Sequence, residues 1–297
     1  MADAIDRYAD DRCEYLRRRI REVYEEASAD VRKKLDAFTA GHRRRAEMFR
    51  QMVDAGQMTQ EAYQDWMRGQ VFIGQRWEAV LRDVTQTYVD ADARAREIVG
   101  REDRSVFAEA ANQTARRIDT RVSGGFSFAV YDEHAVDRLI VAEPQMLPEW
   151  KIDEPKDYIW NERRVRNAVT QGIIQGESIS RIADRLTDGL AAQNAGKMQM
   201  FARTAVTGAQ NAGRVERMRE AEAQGITVLK KWLAVHDSRT RDAHAHLDGQ
   251  TARPDEPFID ENGERLMFPG DPTASPAATY NCRCTLVYVY PQYEGGR

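Results

Sequence analysis

Three cysteines in 297 residues, two of them separated by a single residue, cannot build the framework of a disulfide-stapled secreted fold. The chain is therefore read as one made and kept in a reducing cytoplasm. No stretch approaches the roughly 20 consecutive apolar residues of a membrane-crossing helix, and the polar, acidic start Met1–Asp10 lacks the basic-then-apolar order of a secretion signal. An excess of one charge is missing too. With 44 Lys and Arg against 48 Asp and Glu the formal charge is −4, which excludes a protein designed as a whole to coat nucleic acid. What the chain has instead is polarity, with 31% charged residues and a mean hydropathy of −0.68. That balance predicts long helices around a small core, in an elongated shape.

Apolar residues at Leu16, Ile20, Val23, Tyr24, Ala27, Val31 and Leu35 share one face of a helix from Asp11 to about Phe38. Gly41 is expected to interrupt it, with a second helix from about Arg43 to Ala55 closed by Gly56. Thr59 can cap a third helix, Gln60–Val99, carrying Trp66, Ile73, Trp77, Val80, Val84, Tyr88 and Ala91, and about 60 Å long if unbroken. Helical residues continue to Val122, where Gly124 and Gly125 stop them; Phe126–Tyr131 is then a short strand or an extended packing segment. The densest basic run, His42–Arg45, is a solvated helix start or loop.

Pro144, Pro148 and Pro155 leave residues 142–157 without periodicity and mark them as a linker. Beyond it, a helix through Trp160 and Ile173 closes at Gly176, and Ser178 caps a second carrying Ile179, Ile182 and Leu186. A plain αα-hairpin fits this pair better than a DNA-reading helix-turn-helix, because Asp184 and Asp188 accompany Arg181 and Arg185. A further helix from about Lys197 to Ala223 contains ARTAVTGAQNAGR, whose small residues invite another backbone to pack closely; Arg203 and Thr204 then need polar partners. The expected organisation is an elongated helical region 1–141, a linker 142–157 and a compact domain 158–297. The fold class is mainly α, with long N-terminal amphipathic helices and a small α+β C-terminal domain whose short strands fall in the last 70 residues.

The chemistry gathers between Trp232 and Tyr290. A strand Val228–Val235 leads into His236, Asp237, Arg239, Arg241, His244 and His246, then an Asp248-Gly249 turn and about thirty residues of irregular loop before NCRC at Asn281–Cys284. Cys282 and Cys284 are two apart, so on extended backbone both thiols leave the same face. One reading is a zinc clip joining the ends of the loop, with His244, Cys282, Cys284 and either His236 or His246 as ligands. A second is a structural network of buried thiols in which Asp237 accepts hydrogen bonds from Arg239, Arg241 or nearby amides. A third is a metal-dependent hydrolase or nuclease using His244, Cys282 and Cys284, for which no carboxylate is placed as a general base. A Cys282–Cys284 disulfide would close a small, strained ring. Cys13, far away in sequence, is a small apolar filler.

The order of Gly172 and GES (Gly176–Ser178), ART (Ala202–Thr204), NAG (Asn211–Gly213), Trp232…Asp237…Arg239…Arg241…His244…Asp248-Gly249, PGDP and NCRC resembles the phage head-morphogenesis domain of the Mu-F-like minor head proteins, over roughly Trp160–Tyr288. On that resemblance the motif positions are Arg203, Thr204, Trp232, Asp237, Arg239, Arg241, His244, Asp248, Gly249, Asn281, Cys282, Arg283 and Cys284. His236 and His246 fall between them as additions, and Ala205 stands where relatives often carry glutamate. The resemblance implies a minor, non-enzymatic component of the virion head that binds the portal protein and helps assembly or DNA delivery. Capsid or scaffolding protein and double-stranded DNA are further implied partners. Some relatives carry a toxin domain after NCRC, and no such domain is expected here. The N-terminal helices, outside the resemblance, fit an arm that binds portal or scaffold.

Overall fold

The apolar spacing at the start of the chain produces a single helix, α1 (Ala4–Asp54), in the computed structural model, which describes residues 3–72, 75–147, 154–175 and 179–293. Asp3 and Asp6 exchange side-chain and backbone hydrogen bonds at 2.9 and 3.0 Å and cap its first turn. Gly41 does not break it. A glycine inside a helix costs about 1 kcal/mol, which good helix formers on both sides offset. Of the basic run His42–Arg45, the side chains of His42 and Arg43 lie outside the described residues.

Thr59 caps α2 (Gln60–Phe72) as its position predicts, its hydroxyl accepting from the Ala62 amide at 3.1 Å. Helix α3 (Gln75–Arg121) then runs past Val99, the expected end of the third helix; Ile73 and the side chain of Trp77, part of the expected aromatic stripe, lie outside the described residues. Phe126–Tyr131 forms no strand. It is the extended packing segment, pinned where the Asn112 amide bonds both the N–H and the C=O of Tyr131 at 2.8 Å, and Phe126 stacks on Phe128 at 5.6 Å.

Asp132 caps α4 (Glu133–Ala142). Helix α5 (Glu154–Ile174) begins inside the expected linker, of which residues 148–153 lie outside the described residues, as do Gly176–Ser178. Helix α6 (Ile179–Asp184) passes through a π-helical turn, Arg185–Gly189, into α7 (Leu190–Ala223), which starts well before Lys197.

The chain forms two compact units, each assembled from segments distant in sequence: residues 20–95 with 151–196, and residues 1–19 with 96–150 and 197–297. In the first, Ile20, Val23, Tyr24, Val31 and Leu35 of α1, Val84 and Tyr88 of α3, and Val165 and Val169 of α5 are buried. Asp92, almost fully buried, accepts from the Tyr24 hydroxyl and from the Asn161 amide at 2.9 Å, so its charge is compensated inside the unit.

In the second unit the sequence from Ala202 to Ala221 supplies the buried face of α7: Ala202, Ala205, Val206, Ala209, Ala212, Val215, Met218 and Ala221. A Cβ at Gly213 would stand 2.5 Å from the Phe107 carbonyl oxygen of α3, so two backbones meet where the small residues predict a close approach. Ala115, Ile118, Phe126, Met218, Ala221, Ile226 and Val228 close this core. The strands follow. β1 (Leu229–Leu233) lies between β2 (Thr251–Ala252) and β5 (Thr285–Val289), both antiparallel, with Trp232 opposite Leu286. The long segment after Gly249 is not structureless: it contains a hairpin of β3 (Phe258–Ile259) and β4 (Arg265–Leu266), and α9 (Pro276–Thr279). A short helix, α8 (Asp242–Leu247), precedes it. The protein is thus mainly helical, with its short strands near the C-terminus, and no described helix is long and apolar enough to cross a membrane.

Candidate functional site

One face of α7 organises the site. Thr204, Thr207, Asn211 and Arg214 recur three or four residues apart, so they line up along the helix. Each takes hold of the segment leading into β5: Thr204 Oγ1 accepts from the Asn281 amide at 3.0 Å, and Thr207 Oγ1 donates to the Cys282 carbonyl at 3.0 Å. The Asn211 amide donates to the carbonyls of Pro269 (3.2 Å) and Cys284 (3.4 Å) and accepts from the Leu286 amide at 3.0 Å. Arg214 donates to the Leu286 carbonyl at 2.6 Å. Of β5 itself these bonds engage both backbone groups of Leu286, on the edge that faces away from β1. Asn281 sits at φ 59°, a left-handed conformation that asparagine tolerates better than most residues. Gly270 of the PGDP stretch, at φ 82°, presses on Gly208, where a Cβ would lie 2.6 Å from the Gly208 nitrogen. Asp271 accepts from the Met267 and Thr273 amides at 2.7 and 2.8 Å and folds the turn.

His244, on α8, and Cys282 and Cys284, before β5, converge. The three side chains are buried, and one ligand atom of each lies within 4.8 Å of the others. Nε2 of His244 is 2.7 Å from the Ala278 carbonyl oxygen, which can only accept, so this nitrogen carries the proton. Nδ1 therefore presents its lone pair to the sulfurs, 3.4 Å from Cys284 and 3.7 Å from Cys282. Trp232 stands edge-on to His244 at 5.8 Å and to Phe258 at 5.3 Å, closing the cluster on its inner side. Hydrogen bonding to Cys284, and then burial, push the Cys282 thiol well above its ordinary value.

Around this centre the polar motif residues hold loops. Arg283 grips Asp237 with two bonds of 2.6 and 2.7 Å, and Asp237 also accepts from the Arg239 amide; together they hold its carboxyl far below the usual carboxylate range. The Arg241 guanidinium donates to the Tyr280 carbonyl. Asp248 accepts from the Ala234 amide at 2.8 Å, and Gly249, at φ 80°, bonds the Trp232 carbonyl. Of the two candidates for a fourth metal ligand, His236 pairs with Asp248 at 3.2 Å in an exposed position. His246 is exposed as well, and neither joins the cluster. Arg203 borders a cavity of about 340 Å³ with Asp6, Asp10, Gln210 and Val235. Cys13 lines it too, and burial pushes its thiol up to about 11, consistent with an inert filler.

Residues 163–287 match the family model described as Phage Mu protein F like protein. The minor head protein GP7 of Bacillus phage SPP1 is 35% identical over 122 residues, 41% of this chain and 39% of that protein. The NAD(+)–arginine ADP-ribosyltransferase EFV of Enterococcus faecalis is 30% identical over 131 residues, 43% of this chain and 26% of that protein. The chain thus spans well under half the length of these relatives. No solved structure matches. The matched segment, residues 163–287, holds the α7 clamp, the His244 cluster and the Arg283–Asp237 pair, and it is over this segment that the chain is similar to the Phage Mu protein F like family.

Proposed function

We propose that the protein is a minor component of a phage head that works by binding other head proteins, the portal first among them, and that it has no catalytic activity of its own. The observation that carries this reading is the match to the Phage Mu protein F like family over residues 163–287, together with 35% identity over 122 residues to a relative named as a minor head protein. The geometry supports it chemically. A hydrolase needs reactive atoms open to substrate and a base beside them, whereas His244, Cys282 and Cys284 are buried to within 3% exposure, and both nearby motif carboxylates are engaged, Asp237 by Arg283 and Asp248 by the Ala234 amide. The resemblance to an ADP-ribosyltransferase covers only 26% of that protein.

The place of action is the virion head. The charged faces of α1 and α3 supply partner-facing surface, with capsid or scaffolding protein and packaged DNA as further partners. With a formal charge of −4, DNA is a secondary partner at most. The test is native mass spectrometry of the full chain mixed with the portal protein encoded by the same phage, together with immunodetection of the chain in purified heads. A defined complex and a few copies per head are expected. If the chain is missing from heads and stays free beside portal, capsid and scaffolding proteins, the reading is wrong.

A further inference from the structure

Two sulfurs converge on one nitrogen lone pair, which can accept a hydrogen bond from only one of them at a time. With the proton on Nε2 fixed by the Ala278 carbonyl, Nδ1 of His244 can accept from a single thiol, yet both Cys282 and Cys284 point their sulfurs at it, at 3.7 and 3.4 Å. A metal accounts for both. With Zn–N of about 2.0–2.1 Å, Zn–S of about 2.3 Å and tetrahedral angles, the N···S edge of a zinc site is about 3.5 Å. The two observed distances bracket that value. The geometry points to a structural zinc ion bound by His244 Nδ1, Cys282 Sγ and Cys284 Sγ, with a solvent molecule in the fourth position.

The surroundings fit this ion. Two thiolates and a neutral imidazole cancel its charge, so a neutral unit is buried. The Ala278 carbonyl holding Nε2–H is the outer-shell contact that orients a metal-bound histidine and fixes its tautomer. Soft sulfur with imidazole selects zinc over magnesium or calcium, which take oxygen. Among the described residues no fourth His, Cys, Asp or Glu reaches the cluster, which leaves one coordination position to solvent. With no carboxylate in the cluster to take a proton from that solvent molecule, the ion serves as a clip. It ties α8 to the segment entering β5 across the intervening loop, removing chain entropy that favours opening.

The experiment is elemental analysis and intact native mass of the full chain purified from zinc-supplemented medium, followed by replacement with Co²⁺. One zinc per chain is expected, with a sulfur-to-cobalt charge-transfer band in the near ultraviolet and intense visible bands of a tetrahedral site. In the C282S/C284S double variant metal content should fall about tenfold or more. Because that variant could lose its fold, a second measurement uses the unaltered protein: Cys282 and Cys284 should resist a thiol reagent until a chelator is added, and then react. Folded, unaltered protein that holds neither zinc nor cobalt, or thiols whose reaction rate ignores the chelator, would overturn the assignment. Neither outcome touches the head-protein reading, which the portal complex tests separately.

Discussion

Gly213 offers a test in which two physical effects predict opposite signs. It lies inside α7, where replacing glycine by alanine relieves the conformational entropy cost of glycine and stabilises a helix by about 1 kcal/mol. Its Cβ, however, would stand 2.5 Å from the Phe107 carbonyl oxygen, 3.1 Å from the Ala111 nitrogen and 3.3 Å from the Ala110 Cβ. Carbon–oxygen contacts in proteins settle at roughly 3.3 Å or more, so the helices must separate by about 0.8 Å. No rotamer change can relieve a clash between backbones, and overpacking of a well-packed core typically costs about 1–3 kcal/mol. The core between α3 and α7 would loosen along its length, which places Gly213→Ala at the upper end of that range. The net expectation is a loss of about 2 kcal/mol, read as a lower midpoint in urea unfolding with the slope unchanged. Gly196 in the same helix is the control. A Cβ there meets nothing within 4 Å, so Gly196→Ala should raise the midpoint. If both substitutions stabilise the protein equally, the close approach of α3 and α7 is not as described and the packing argument fails.

Arg214 is fully buried, with Asp3 at 3.1 Å, Asp6 at 2.6 Å and the Leu286 carbonyl as its partners, so Arg214→Met should cost about 3 kcal/mol by removing the charge that Asp3 and Asp6 share and stranding that carbonyl. Burial alone would raise the Asp3 carboxyl, but Arg214 and the Asp6 amide hold it below its ordinary value. Its stabilisation is therefore complete above about pH 4 and lost as pH falls further, and acid unfolding of the variant, in which Asp3 keeps only Arg117, should show a smaller limb. Lys230 runs the other way. Burial drives its ammonium down to about 7, so the unfolded chain binds the proton more tightly and stability should rise from pH 7 towards 9; Lys230→Met should flatten that rise in urea midpoints measured across the range. Asn211→Ala strands the buried Leu286 amide and two carbonyls and should cost about 2 kcal/mol, measurable by the same unfolding experiment.

The helices were legible in the sequence because their apolar spacing is long and regular, and Thr59 announced its cap. Their continuity was not, since a single glycine such as Gly41 is a local penalty that a long helix absorbs. The two units could not be read from chain order at all: residues 1–19 group with 197–297, a pairing fixed by Arg214 reaching Asp3 and Asp6, more than two hundred positions apart. The segment after Gly249 looked structureless because its strands are two residues long, below any periodicity. At the site, the convergence of His244 on Cys282 and Cys284 followed from spacing and residue type, while the choice of His236 or His246 as a further ligand did not survive the geometry. The α7 clamp had a signal that went unread. Thr204, Thr207, Asn211 and Arg214 form a polar stripe along the buried side of a small-residue helix, and buried polar groups at helical spacing must have partners.

The clamp also explains what the family motif encodes. Thr204, Asp237, Asp248, Arg241 and Arg283 spend their hydrogen bonds on backbone amides, on carbonyls or on one another, and Gly249 and Asn281 are there for their backbone angles. A catalytic set has the opposite character, with strong donors and acceptors left for the substrate. In this chain, then, these residues specify the shape of the loops around β5. Arg203 is the exception: its neighbour Thr204 is committed to the Asn281 amide, while Arg203 faces the 340 Å³ cavity beside Gln210, whose carbonyl oxygen is buried without a partner.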